Sequence, residues 1–416
     1  TKFLTLLHDK GFIYQGEYEG FYCVGCEEYK PAADLVDGVG EFEGQKVCQI
    51  HGRPVEVLKE ENYFFKMSDF QQDLLDLYQS QPDFIQPPSV RNEIIAFVNR
   101  GLDDLSISRS NIDWGIEVPF DKSHVTYVWF EALLNYITAT GWGSDEETFA
   151  RRWPAIQLVG KDIARFHAVI WPAMLMAAGL APPKRVFAHG WLLVGGEKMS
   201  KSKLTGIAPT DITSVFGSDA FRYYFLRAIT FGSDGSFSWE DLSARYEAEL
   251  ANGLGNLASR VIAMITRYRD GVIPDGAPGS APAEAALQAV MAEAVPAADA
   301  AMNAFAPHEA LGQLWRIVDA TNGYITEQEP WVLAKDPQEA QRLDAVLYNA
   351  ADALRCLAVT LSPFMPQATH KLWVALGMPG SLQDQNIPDA GFAGGLTPGV
   401  SVGELLPLFP RIDPEA

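Results

Sequence analysis

Only four cysteines occur in 416 residues, too few for a disulfide scaffold. No apolar run reaches the roughly 20 residues of a membrane-spanning helix. No basic-then-apolar leader opens the chain, and with so little cysteine this predicts a cytoplasmic protein in a reducing compartment that engages no membrane. Positive charge is also short: 32 Lys and Arg face 53 Asp and Glu, a net charge of −21. That excludes a protein that coats nucleic acid through a broad basic face, and leaves RNA only local basic patches and base-specific contacts. What is plentiful is apolar: 48% of residues are hydrophobic and 11% aromatic, enough for large cores, and the length predicts two or three domains.

Fourteen residues are lysine, and three of them fall within Lys198-Met199-Ser200-Lys201-Ser202-Lys203. Gly195, Gly196 and Gly206 flank the run and give the backbone freedom to move. A mobile loop carrying ammonium groups and hydroxyls suits a polyphosphate whose charge shifts during reaction. The plain alternative is a solvated surface loop.

Three of the four cysteines fall in a second cluster. Cys23-Val24-Gly25-Cys26 is followed, after twenty-one residues, by Cys48-Gln49-Ile50-His51. Two ligands separated by two residues form a hook that offers both to one tetrahedral ion. Two hooks, Cys23 with Cys26 and Cys48 with His51, complete a closed structural zinc site; the alternative is reduced, unmetallated thiols. Cys356 stands alone on an apolar helix and reads as packing.

Elsewhere the chain alternates strand and helix before turning helical. Residues 1 to about 13 read as a helix ended by Lys10-Gly11. Glu61 to Phe65 reads as a strand, Ser68-Asp69 as the start of a helix with Leu74, Leu75 and Leu77, and Gly101 to Arg109 as a turn and short strand. From 111 to about 196 strand and helix alternate, which predicts a parallel α/β sheet. Ile156 to Val159 is a buried strand ending in Gly160-Lys161-Asp162, and Arg185 to Ala188 another ending in His189-Gly190-Trp191. The carboxyl ends of such strands are where open α/β sheets bind nucleosides: glycine permits close approach and a carboxylate accepts ribose hydroxyls. A helix cap by Asp162 is the structural alternative. Trp129, Leu133 and Tyr136 could line one pocket or be ordinary core. Ser238-Trp239-Glu240-Asp241 reads as a capping box, a Pro/Gly/Ala-rich break covers 272 to 283, and Leu347, Leu354 and Leu361 recur seven apart before Pro363, as in a helical bundle.

The wording of the lysine run matches the signature of class I aminoacyl-tRNA synthetases. With Gly160-Lys161-Asp162, Phe166-His167, His189-Gly190-Trp191, Val128-Trp129-Phe130 and Glu329-Pro330-Trp331, the chain from about Gly16 to Arg411 resembles the methionyl-tRNA synthetase family. The resemblance implies a methionine–tRNA ligase that forms methionyl-adenylate from L-methionine and ATP with Mg2+, then charges tRNA(Met). It implies that Lys198, Ser200 and Lys201 hold the triphosphate, with Lys198 and Lys201 catalytic, that Gly160 and Asp162 hold the ribose, and that His189 and Gly190 lie by the nucleotide. Trp129, Ala132, Leu133, Tyr136 and His167 would enclose the methionine side chain, with Tyr136 and His167 donating weakly to sulfur. Asn256, Arg260 and Trp331 would read the anticodon, a mode that tolerates an acidic protein. One structural zinc ion would sit in the knuckle.

The implied architecture is α/β plus all-α. A connective region over 1–110 carries the knuckle at about 20–55; 111–196 forms the second half of a Rossmann-like catalytic domain. The lysine loop and a connecting module follow over 197–240, and a helical anticodon-binding bundle over 241–416. Two departures stand out. No His-x-Gly-His signature occurs, which predicts that an amino-terminal catalytic segment of the same protein is missing and that this chain alone is inactive. Glu131 stands where the family commonly has aspartate. Two other readings remain: a non-catalytic tRNA- or partner-binding module derived from a class I synthetase, and a class I ligase for another amino acid, such as cysteine or leucine.

Overall fold

A computed structural model describes residues 1–26, 28–30, 32–110, 112, 114–199, 206–276, 281–391 and 393–412 of the chain. They fold as two compact units, Thr1–His189 and Gly190–Ala416. Among the described residues no helix is long and apolar enough to cross a membrane.

The first unit opens with the helix Lys2–Asp9, which buries Phe3, Leu4 and Leu7 on one face and ends before Gly11 at φ +78°, a conformation that glycine adopts without a Cβ clash. The chain then runs into a long antiparallel ribbon. Ile13–Cys23 pairs with Glu56–Phe65 in unbroken register from Ile13 opposite Phe65 to Tyr22 opposite Glu56. Alternation puts Phe65 and Ile13 into the core at the ribbon's base and leaves its far end to carry the cysteine hooks. The predicted helix start at Ser68 is not used. Ser68 Oγ donates to Asp104 Oδ1 at 2.6 Å, Met67–Phe70 forms one 3₁₀ turn, and the α-helix begins at Gln71.

The parallel sheet has the order Ile156–Gly160, Arg185–His189, Ile85–Gln86. Its third strand comes from outside the predicted 111–196 stretch, whose earlier strands, Glu117–Val118 and Asp121–Thr126, are antiparallel. Ile85–Gln86 is two residues long because Pro87 has no N–H to continue the ladder. Trp171, Phe130, Val186 and Phe65 close the core beneath. The helix after Gly160 is irregular: a 3₁₀ turn at Lys161–Ile163, a π turn at Phe166–Ile170, then α-helix from Trp171 to Ala178.

The second unit begins with a small sheet of Leu192–Val194, Glu197–Lys198 and Gly235–Phe237 and continues as helices. Ser238 caps the helix from Trp239, its Oγ accepting from Asp241 N at 3.2 Å. That helix passes through a π segment at Tyr246–Gly255 into Asn256–Arg269. The helices Pro282–Asn303, Pro307–Gln328, Ala340–Thr360 and Pro366–Ala375 complete an apolar bundle. In Ala340–Thr360 every residue from Val346 to Thr360 is buried, Cys356 among them and the polar Asn349, Asp352 and Arg355 too, so this helix forms the interior of the bundle.

Candidate functional site

In the first unit, Gly160 stands directly opposite His189 at the carboxyl ends of two parallel strands. A Cβ on Gly160 would lie 2.6 Å from Asp162 Oδ1 and 3.9 Å from His189 Cε1. Only glycine lets the Asp162 carboxylate fold back over the strand end, since real Cβ atoms do not approach so closely. Asp162 and His189 are both exposed there. The edge therefore presents a carboxylate and an imidazole above bare backbone, a combination able to accept from vicinal hydroxyls and to lie against a flat base.

The aromatic residues gather around the π turn. The Trp129 ring stacks on Phe166 at 4.7 Å between centroids. Tyr136 Oη and His167 Nε2 are 2.8 Å apart, and Tyr136 also leans on Trp171 at 6.4 Å. His167 is buried, with Nδ1 2.9 Å from the Ile163 carbonyl oxygen. That oxygen can only accept, so Nδ1 carries the proton and Nε2 accepts from the Tyr136 hydroxyl. Burial holds the imidazole below its ordinary pKa, against the opposing pull of the Ile163 carbonyl, and keeps it neutral. Both protons of the pair are thus engaged. The expectation that Tyr136 and His167 donate to a sulfur atom is corrected: the pair offers a wall and lone pairs. Leu133 is buried beside it, whereas Ala132 is partly exposed.

The four knuckle residues converge. Cys26 Sγ lies 3.1 Å from His51 Nδ1 and 3.7 Å from Cys48 Sγ; His51 Nδ1 is 3.8 Å from Cys23 Sγ and 3.9 Å from Cys48 Sγ. All four ligand atoms lie within 4.8 Å of one another. Ligands at zinc–sulfur and zinc–nitrogen distances on a tetrahedron would be about 3.5–3.8 Å apart, so the cluster could hold one ion of that size. Burial alone would raise the Cys48 thiol, but donors from His51 and Ile50 outweigh it and hold it down at about 6, while burial pushes the neighbouring Cys26 thiol up to about 12; a metal requires both as thiolates. Gly25, between the first two cysteines, is needed for closure: a Cβ there would meet the His51 ring at 2.9 Å.

In the second unit, Leu193 pairs with Lys198 and Val194 with Glu197. Gly195 and Gly196, at φ +59° and +84°, make the two-residue hairpin turn between them. These glycines, expected to free a mobile loop, serve that turn. Lys198 is placed by its backbone alone; Ser200 and Lys201 lie outside the described residues. Gly190 packs on backbone, a Cβ there meeting Ser233 at 2.2 Å, while Trp191 N donates to Asp234 Oδ1 at 2.8 Å.

Asn256 and Arg260 lie one turn apart on Asn256–Arg269. The Arg260 guanidinium sits 6.0 Å from the centre of the Trp331 ring, within cation–π reach. Trp331 is 36% exposed, so it is a surface ring rather than the core residue its type alone suggests. Beside Asn256 a cavity of about 360 Å³ is lined by Asn252, Gly255, Ser259 and the segment 407–411. Sequence reasoning missed Asn252 in that wall; its signal was the spacing of Asn252, Asn256 and Arg260, four apart on one face. It also missed Gly25, whose signal was its place inside the first hook.

Comparison with known proteins bears on both units. The family described as "tRNA synthetases class I (M)" matches residues 41–262, and the "anticodon binding domain of methionyl tRNA ligase" matches residues 273–411. The chain is 54% identical to the methionine–tRNA ligase of Streptomyces coelicolor over 99% of its own length and 78% of that protein. It is 46% identical to the methionine–tRNA ligase of Caldanaerobacter subterraneus, covering all of this chain and 63% of the relative. The solved structure of Mycobacterium tuberculosis methionyl-tRNA synthetase in complex with methionyl-adenylate superposes with a TM-score of 0.92 at 39% identity, over 99% of this chain and 80% of that one.

Proposed function

Because the chain belongs to the methionyl-tRNA synthetase family of class I synthetases, we propose that it serves as a methionine–tRNA ligase. The methionine carboxylate attacks the α-phosphorus of ATP, pyrophosphate leaves, and a terminal ribose hydroxyl of tRNA(Met) then displaces AMP from the methionyl-adenylate. The observation that best supports this is the paired strand end, where Gly160 faces His189 and Asp162 folds over the bare glycine.

In this reading Gly160 and Asp162 take the ribose, and His189 and Gly190 border the nucleotide. Lys198, Ser200 and Lys201 meet the triphosphate, which carries Mg2+. Charge on the leaving pyrophosphate grows as the bond to the α-phosphorus breaks, and preorganised cations lower the barrier by matching it. Trp129, Ala132, Leu133, Tyr136 and His167 enclose the methionine side chain. A polarisable thioether packs well on aromatic faces. With the Tyr136 proton spent on His167 and the His167 proton on the Ile163 carbonyl, selection rests on shape and polarisability, which discriminate modestly between side chains of similar size. Zinc in the Cys23, Cys26, Cys48 and His51 cluster is structural: four protein ligands leave no open position for water. Asn256, Arg260 and Trp331 take anticodon bases by stacking and edge hydrogen bonds. The acidic net charge and the free thiols fit a cytoplasmic translation enzyme.

Methionine-dependent exchange of pyrophosphate into ATP tests the proposal. The protein is expected to exchange, and Lys201→Ala to lose about 100-fold or more, the scale for removing one transition-state donor. A folded gene product that exchanges with no amino acid would overturn the ligase reading and leave a tRNA-binding module.

A further inference from the structure

Glu284 is completely buried near the start of the helix Pro282–Asn303. Its Oε1 accepts from the Tyr324 hydroxyl and forms an ion pair with Arg342 Nη1 at 2.8 Å. The other arm of the Arg342 guanidinium donates to Gln328 Oε1. Tyr324 and Gln328 lie four apart on Pro307–Gln328, so one carboxylate and one guanidinium grip the last turn of that helix at two points.

Gln328 is the final residue of the helix. Glu329 follows in the left-handed region at φ +44°, ψ +56°, where a non-glycine residue is strained. Buried Pro330 and exposed Trp331 come next, in a single helical turn anchored by Val332 N donating to Glu329 O at 2.7 Å. The direction of the Trp331 ring therefore depends on where Gln328 ends and how Glu329 is held. An ion pair on a buried carboxylate is a poor device for stability, since an apolar pair of like volume does as well, but it fixes the geometry of the groups it joins.

We infer that Arg342 is a positioning residue for base recognition. By bridging Glu284 and Gln328 it fixes the left-handed corner at Glu329 and so holds Trp331 over Arg260. The inference rests on the reading of Trp331 as an anticodon-binding residue. Arginine is required because its fork reaches both partners, whereas a lysine could keep the pair with Glu284 and release Gln328.

The experiment measures the dissociation constants of the chain for a tRNA(Met) transcript and for one with an altered anticodon base. The ratio of the two is the readout, with thermal melting recorded alongside. Arg342→Lys and Gln328→Ala are each expected to lower the ratio about tenfold, within the worth of one base stack, while the melting temperature holds. In a Trp331→Ala background neither should lower it further. If one variant fails to fold, the other decides. A folded variant with the wild-type ratio, or losses that add in full to that of Trp331→Ala, would overturn the inference. A wild-type ratio in Trp331→Ala itself would remove the anticodon reading and the inference with it.

Discussion

The units Thr1–His189 and Gly190–Ala416 hold their functional side chains by different means. In the first, the elements at the candidate nucleotide edge are short: two strands run five residues, and a third runs two. Position comes from backbone pressed against side chain, as Gly160 lies under Asp162 and Gly25 under His51. In the second, position comes from volume. A helix buried along fifteen consecutive residues, Val346 to Thr360, fixes its neighbours, and the surface ring of Trp331 is aimed by a polar clamp anchored on buried Glu284. Short elements need local constraint at each residue; long ones need one large core and a few buried hydrogen bonds to set detail.

The largest expected effect that would break this contrast is metal removal. Chelation should abolish amide protection over residues 23–52 by hydrogen exchange, since structural zinc sites supply about 10–16 kcal/mol of apparent binding energy. The bundle should keep its protection. Knuckle protection that survives chelation would show that the ribbon alone holds the hooks. Next comes Leu354→Ala, at the fully buried centre of Ala340–Thr360. Urea titration should show a loss of about 2–5 kcal/mol in the second unit, with knuckle amides unmoved. A loss below 1 kcal/mol, far under that range, would mean the bundle is not organised around this helix. Tyr136→Phe sharpens the first half of the contrast: it leaves buried His167 Nε2 without its donor, a cost of about 1–3 kcal/mol to the first unit, and calorimetry should show weaker methionine binding. The smallest effect is with pH. His167 has a depressed folded pKa, so its contribution is complete above the unfolded value of about 6.5. It is lost as pH falls through the folded pKa, so stability should be lower at pH 5 than at pH 7 in urea titration. That part of the pH dependence should vanish in His167→Gln.

Periodic features were legible. The ribbon strand ending at Phe65, the helix before Gly11, the cap at Ser238 and the Leu347–Leu354–Leu361 spacing all follow from rules that act over a few residues. The four knuckle ligands were legible because the hook is local. What escaped depends on distant partners. Ile85–Gln86 is a strand only because Arg185–His189 lies beside it. Ser68 had the chemistry of a cap, but Asp104 took its hydroxyl. The proton arrangement at Tyr136 and His167 is set by the Ile163 carbonyl, which the irregular helix brings to His167 Nδ1. Glu284, Tyr324, Gln328 and Arg342 carry no motif and come together through tertiary packing alone.

The π segment at Tyr246–Gly255 runs straight into Asn256. A wide turn takes up more residues for the same advance along the axis, so it works as a phase adjuster in an otherwise regular rod. Each residue inserted or deleted there would swing Asn256 and Arg260 about 100° around the helix. Grafting Asn256–Arg269 onto another scaffold would therefore transplant the letters of the recognition face without its bearing, unless the ten residues before it travel too.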